Sequence, residues 1–226
     1  MFKKMMTSLT AIVALALAGA TLAKDEMPDR TEDGLMRIDS KNVEAVYWLE
    51  GATLEGYNSI LIMDPQVAFR KNWQRDYNRT TMPGVSRRVT PDDMERIKQG
   101  LADEFISVFQ EVLGEAGYGV VDAPAEDVLV LRPAIVNLDV TAPDLETSMR
   151  DRTYVASAGQ MTLYMDLFDS VTGAKIGTVI DGQRARDTGT MTWSSGMKNK
   201  QEARRILRKW SGLLAAALDE AHKKGD

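Results

Sequence analysis

Residues 160–168 place Met161, Leu163, Met165 and Leu167 at every second position, the period at which side chains share one face of a strand. Asp169-Ser170-Val171-Thr172-Gly173 follows, with the aspartate and glycine of a hairpin turn. Lys175 to Ala185 returns as the partner strand. A hairpin apolar on one face is unstable until another layer covers that face. The chain is therefore committed to a sheet with something packed on it.

Two segments have the pattern of that cover. Thr90-Pro91-Asp92-Asp93 opens a helix: threonine caps, proline suits the first turn and two acids meet the positive end of the dipole. Met94, Ile97, Leu101, Phe105, Val108, Phe109 and Val112 make its apolar stripe, and Gly114 and Gly117 mark its exit. A second helix runs from about Asn199 to Lys223, with Ile206, Trp210, Leu213, Leu214, Ala217 and Ala221 as its stripe. Further strands are expected at Val43–Leu49, as an edge, and at Ser59-Ile60-Leu61-Ile62-Met63, ended by Asp64-Pro65. Tyr118–Val121 reads as a short strand, and Asp127–Val140 as a long one interrupted at Pro133. Residues 69–90 read as a long polar loop. The expected fold class is α+β: a single domain with a mixed, mostly antiparallel sheet covered by two main helices.

The first residues have the pattern of a signal peptide. Lys3 and Lys4 precede an apolar stretch from Ala11 to Ala20, and Thr21-Leu22-Ala23 supplies the small residues a signal peptidase accepts. Cleavage is expected between Ala23 and Lys24. The apolar stretch is shorter than the roughly 20 residues of a membrane-spanning helix, so no transmembrane span is expected. Leu17-Ala18-Gly19 leads into a lipoprotein box, but Ala20 stands where the acylated cysteine would be, so no lipid anchor is expected. Residues 1–23 are read as the signal peptide, 24–42 as a polar, flexible leader, and 43–226 as the single domain.

Composition closes several routes to function. The chain of 226 residues has no cysteine and one histidine, His222. Disulfides, thiolate sites and histidine-cluster metal sites are excluded. Without residues 1–23 the chain keeps 26 of its 28 basic residues and all 33 acids, a net charge of −7. General nucleic-acid binding needs a net basic surface and is not expected. Gly114-x-x-Gly117-x-Gly119 sits at a helix C-terminus, the wrong end for a phosphate. Met161 and Met165 read as core rather than copper ligands, Asp169 as a turn-stabilising residue, and Ser194-Ser195-Gly196 has no nucleophile elbow. No cofactor, metal or catalytic residue is expected.

The one signal above background is charge segregation. Residues 24–68 carry 4 basic and 10 acidic residues, and residues 92–147 carry 3 and 13. Between them, residues 69–91 carry Arg70, Lys71, Arg75, Arg79, Arg87 and Arg88 against Asp76 alone. Trp73 and Tyr77 lie in the same stretch, where they offer apolar contact. The last helix adds Lys198, Lys200, Arg204, Arg205, Arg208 and Lys209 in its first half, against its dipole. The first functional reading is a non-enzymatic periplasmic protein that binds an envelope protein or anionic envelope component through Arg70, Lys71, Trp73, Arg75, Tyr77, Arg79, Arg87 and Arg88. Two alternatives stand beside it: an envelope hydrolase using carboxylates alone on glycan or phosphoester, and a scaffold that oligomerises through a sheet edge.

The order and spacing of several short motifs resemble a bacterial envelope family, domain of unknown function 3313. These are Ser59-Ile60-Leu61-Ile62-Met63-Asp64-Pro65, Gly117-Tyr118-Gly119-Val120-Val121-Asp122, Asp127-Val128-Leu129-Val130-Leu131-Arg132-Pro133 and residues 166–176. The resemblance spans roughly residues 43–222. It implies an envelope protein, mostly lipoproteins among the members, with no activity to carry over. The layout is also similar to the N-terminal domain of TolB and to related envelope-assembly lipoproteins. That likeness implies a non-enzymatic module and assigns no function.

Overall fold

The computed structural model describes residues 27–80, 88–140, 153–155, 159–184, 192–194 and 196–225. The expected signal peptide, the Ala23–Lys24 cleavage point, Arg87 and Ser195 lie outside the described residues. In chain order the elements are β1 (Met36–Ile38), β2 (Ala45–Trp48), β3 (Ser59–Ile62), β4 (Gln66–Phe69), α1 (Trp73–Thr80), α2 (Pro91–Glu115), β5 (Gly119–Val120) and β6 (Val128–Asp139). Then come β7 (Thr153–Val155), β8 (Gln160–Asp169), β9 (Lys175–Arg184), β10 (Thr192–Ser194) and α3 (Gly196–Gly225).

Eight strands form one mixed sheet in the order β1-β2-β9-β8-β6-β3-β5, with β4 also paired to β6. The four pairings from β1 to β6 are antiparallel, and β3, β4 and β5 join in parallel. β7 and β10 form a separate antiparallel pair. The molecule is thus a single α+β domain.

The β8–β9 hairpin turns as its sequence dictates. Asp169 Oδ1 accepts from the Thr172 amide at 2.7 Å and hydroxyl at 2.6 Å, and Gly173 takes φ +68°. β6 runs through Pro133 without a break. Leu131 turns its carbonyl toward Met63 on the β3 side, so the nitrogen two residues on faces that side as well. There β3 and β4 leave a gap at Asp64-Pro65, and the missing donor of Pro133 costs the ladder nothing.

α2 starts and stops where its caps place it. Thr90 and Asp93 form a reciprocal capping box with Pro91 in the first turn. At the exit Tyr118 N–H bonds Leu113 C=O, Gly117 N–H bonds Gly114 C=O, and Gly117 has φ +92°, the pattern of a Schellman stop. α3 buries Ile206, Leu207, Trp210, Ser211, Leu214, Ala215 and Leu218. Its stripe is rotated from the expected one: Leu207 and Leu218 point inward and Ala217 is exposed. Both helices pack on one face of the sheet, against Leu129, Leu131, Ile135, Leu163, Met165 and Leu167.

Two expectations change in the N-terminal third. Residues 24–42 were expected to be a flexible leader, yet β1 lies within them and Leu35 is buried with Met27 against Ala45, Tyr47 and Ile180 on the opposite sheet face. The expected edge strand at Val43–Leu49 is accordingly second from the edge, between β1 and β9. Residues 69–90 are not a continuous loop: β4 ends at Phe69 and α1 occupies Trp73–Thr80.

Candidate functional site

α1 is set at the end of β4 by a sharp turn. Arg70 N–H bonds Leu138 C=O, and Asn72 adopts φ +62°, a left-handed conformation that asparagine tolerates better than most side chains. The helix then has two faces. Trp73 is only 2% exposed. Its ring stacks on Phe69 at 4.3 Å and on Tyr77 at 5.6 Å, and its Nε1–H donates to Val140 C=O. Val89, Met94 and Ile97 complete this small core.

A second pair, one turn apart, grips the far end of the segment. Asn78 donates from Nδ2 to Val89 C=O at 2.8 Å and accepts from Val89 N–H at 2.7 Å, while Gln74 Nε2 donates to the same carbonyl. The asparagine amide mimics a strand partner and ties the chain leaving α1 to the chain entering α2. Arg79 and Arg88 each lie one residue outside this tie.

The cations divide into two groups. Arg70 reaches Asp139 Oδ2 at 2.8 Å and Asp76 Oδ2 at 3.1 Å. Burial alone would lower the Arg70 pKa, but its two carboxylate partners outweigh burial and raise it. Hydrogen bonds from Arg70 and then Arg75 hold Asp76 below the usual carboxylate range. Arg75, two-thirds exposed, meets the second oxygen of Asp76 at 3.0 Å. Lys71, Arg79 and Arg88 are exposed and make no ion pair among the described residues. Of the sequence-selected residues, Lys71, Arg75, Arg79 and Arg88 therefore face solvent, whereas Arg70 and Trp73 hold α1 to the domain. Tyr77 is half-buried against Trp73.

The basic half of α3 does not extend this surface. Lys200 and Arg204 both bind Glu104 of α2, and Arg204 and Arg208 bind Glu111 at 2.8 and 2.5 Å. Arg205 pairs with Glu202, and Lys209 reaches Asp181 at 3.1 Å. Asp181 is 3% exposed and also accepts from Trp210 Nε1 at 2.7 Å. Burial would raise the pKa of Glu104, but Lys200 and Arg204 outweigh it and hold the carboxyl below its usual range. Glu104 and Glu111 of α2 are thus both occupied by α3.

These pairings also fix helix direction. Glu104 meets residues 200 and 204, Glu111 meets 204 and 208, and the Tyr118 hydroxyl donates to Asp219 at 2.7 Å beside His222. α2 and α3 therefore run parallel, with both N-termini at the α1 end of the sheet. The opposite end carries exposed Glu55, Glu115, Asp122 and Glu126. Among the described residues no group of three or more His, Asp or Glu is arranged to hold a metal ion, and no helix is long and apolar enough to cross a membrane.

A mixed sheet with two parallel helices on one face makes the protein a single α+β domain. The family described as "Protein of unknown function (DUF3313)" matches residues 32–214, and the chain belongs to it. No curated protein matches the sequence. Among solved structures the chain is similar to a DUF330 protein from Xanthomonas campestris, at 13% identity and a TM-score of 0.39, covering 76% of this chain and 91% of that one. It is also similar to a minor lipoprotein from Acinetobacter baumannii (12%, 0.32, 71% and 91%) and to the PelC dodecamer from Paraburkholderia phytofirmans (12%, 0.34, 74% and 96%). Likenesses this distant carry no functional argument.

Proposed function

We propose that the protein is a non-enzymatic binding module of the bacterial envelope, engaging an anionic partner through the outer face of α1 and Arg88. In this reading residues 1–23 export the chain, cleavage falls between Ala23 and Lys24, and the product stays unacylated in the periplasm because Ala20 replaces the cysteine of a lipoprotein box. The supporting observation is the contrast in charge satisfaction: Lys71, Arg79 and Arg88 have no acidic partner among the described residues, on a helix pinned from behind by Trp73 and Asn78. A rigid mount lowers the ordering cost of binding, and exposed like charges repel until an anion arrives.

The test is a fourfold variant, Lys71→Gln, Arg75→Gln, Arg79→Gln and Arg88→Gln, crosslinked in living cells and compared with the parent. The parent is expected to capture periplasmic partners that the variant and high salt both lose. Retention of the same partners by a folded variant overturns the reading. Fractionation checks the location: an acylated N-terminus in the detergent phase contradicts soluble export.

A further inference from the structure

We infer that the anionic partner of the α1 face is the opposite end of a second copy of this chain, so that molecules associate head to tail. The inference rests on the proposed role of the α1 face and adds the identity of what it meets.

Strand direction sets the two ends of the molecule apart. β3 and β6 run parallel, and both start at the same end of the sheet, where Asn58 and Ser59 N–H bond Asp127 C=O. β6 then crosses twelve residues to Asp139, which holds Arg70. At a rise of about 3.3 Å per residue this separates the two ends by roughly 36 Å. Chain direction thus carries the acid-rich connections to one pole and α1 to the other.

The poles are opposite in sign. At the strand-start pole Glu55, Glu115, Asp122 and Glu126 are exposed and make no ion pair among the described residues. Residues 99–131 contain no lysine or arginine. Exposed Lys223, near the end of α3, is set against these acids, and exposed Arg30 lies near the same end beside β1. At the other pole stand Lys71, Arg75, Arg79 and Arg88, with exposed Asp92 in the first turn of α2 set against them.

The helices reinforce the asymmetry. α2 and α3 are parallel, so their partial positive N-termini lie at the cationic pole and their partial negative C-termini at the acidic pole. Side-by-side parallel dipoles repel, and the Glu104 and Glu111 bridges to Lys200, Arg204 and Arg208 offset that repulsion between the helices. The fold therefore neutralises charge along its flank and leaves it at its two ends. Two copies placed end to end bring unlike poles together. The contact is heterologous, joining different surfaces of the two copies.

The sheet edge is a poorer route to self-association. Beyond β1, Arg37 N–H already bonds Asp29 C=O and Arg30 bridges Met36. The two-residue β5 offers little ladder at the other edge.

An eight-residue helix spans about 12 Å, so the contact is small and belongs with weak, transient interfaces. It is expected to depend on concentration and to collapse in salt, where the Debye length falls to about 3 Å near 1 M.

Light scattering and sedimentation of the purified protein test this at low and high salt. At low salt the mean mass should rise with concentration above that of one chain, and return to it at high salt. A basic-pole variant (Arg75→Glu, Arg79→Glu, Arg88→Glu) and an acidic-pole variant (Glu55→Lys, Asp122→Lys, Glu126→Lys) should each be monomeric alone. Mixed one to one, they should associate again, because each then offers the pole the other lacks. Circular dichroism of each variant guards against misfolding. Wild-type protein that stays monomeric at low salt, or a mixture that fails to associate, overturns the inference. Binding to inorganic polyphosphate separates the two levels. Monomeric wild-type protein that binds polyphosphate through the α1 cations loses only the second-copy assignment, whereas protein that does neither loses both.

Discussion

Arginine does opposite work in two regions of this domain. Between α2 and α3, Arg204 lies between Glu104 and Glu111, with Lys200 and Arg208 completing a ladder at the helix contact. On α1, Arg79 is exposed with no acid paired to it among the described residues, and Arg88 is in the same position across the Asn78–Val89 tie. Both regions are basic runs in the sequence. What separates them is the acid each one faces after folding: α3 lies on the acidic helix, whereas α1 lies on an aromatic core. A charge run is therefore a stability element or a recognition surface according to its partner, and composition does not distinguish the two.

The comparison is strained most by removing what holds α1 in place. Trp73→Ala deletes a ring that is 2% exposed and stacked on both sides. It should cost about 3–5 kcal/mol, read as a lower denaturant midpoint. The core under α2 has its own cluster, so loss should centre on residues 69–97 in hydrogen exchange. Uniform loss of protection would show that α1 is integral to the whole core rather than a mounted surface.

Breaking the ladder should come next. Arg204→Ala leaves Glu104, 9% exposed, with Lys200 alone. Truncating one member of a fully buried pair costs about 3–5 kcal/mol; because Arg204 is about a third exposed and Lys200 remains, the loss here should be about 2–3 kcal/mol. The double variant Arg204→Met with Glu104→Gln should recover part of it. No recovery would mean that Arg204 stabilises mainly by packing its stem.

Acid and base probe the same contrast without mutation. The Glu104 carboxyl is held below its ordinary value of 4.5. Its contribution is complete above that value and disappears as pH falls through the lower folded value, so acid unfolding should begin below about pH 4.5. Asp166 adds to this limb: burial would raise its pKa, but Arg132, Thr178 and Lys175 hold it down. At the other extreme burial, and then Asp219, push Tyr118 from 10.0 up to about 12. Its contribution is intact below pH 10 and lost as pH rises toward 12. Tyr118→Phe should flatten the alkaline limb and leave the acid limb unchanged in a stability–pH profile.

Much of the fold was legible because its signals are local. The Thr90–Asp93 box, the Gly117 stop and the Asp169–Gly173 turn each specify geometry within a few residues, and all three formed. The missed elements were short and carried charge. Trp73 with Tyr77, and Gln74 with Asn78, repeat at i and i+4, the spacing of two helix faces. That signal was available, but the four cations Arg70, Lys71, Arg75 and Arg79 in and around those residues read as loop. Leu35 and Ile38 were likewise obscured by the polar residues around them. The ladder was not legible at all, since Arg204 and Glu104 are a hundred residues apart and nothing local sets the direction of α3 against α2.

Removing the α1 cations, by contrast, should cost almost no stability. The fourfold change of Lys71, Arg75, Arg79 and Arg88 to Gln removes as many cations as the ladder contains, with one more besides. Exposed charges contribute about 0–1 kcal/mol each, and the median lies near the bottom of that range when no partner is present. Lys71, Arg79 and Arg88 have no ion pair to lose among the described residues, and Asp76 keeps Arg70 when Arg75 is changed. Relief of mutual repulsion acts in the opposite direction. The melting temperature should therefore stay within a few degrees of the parent, while Arg204→Ala alone lowers it several times further. If the fourfold variant instead unfolds as early as the ladder variant, the α1 cations are structural, the two regions are alike, and the binding surface belongs elsewhere on the molecule.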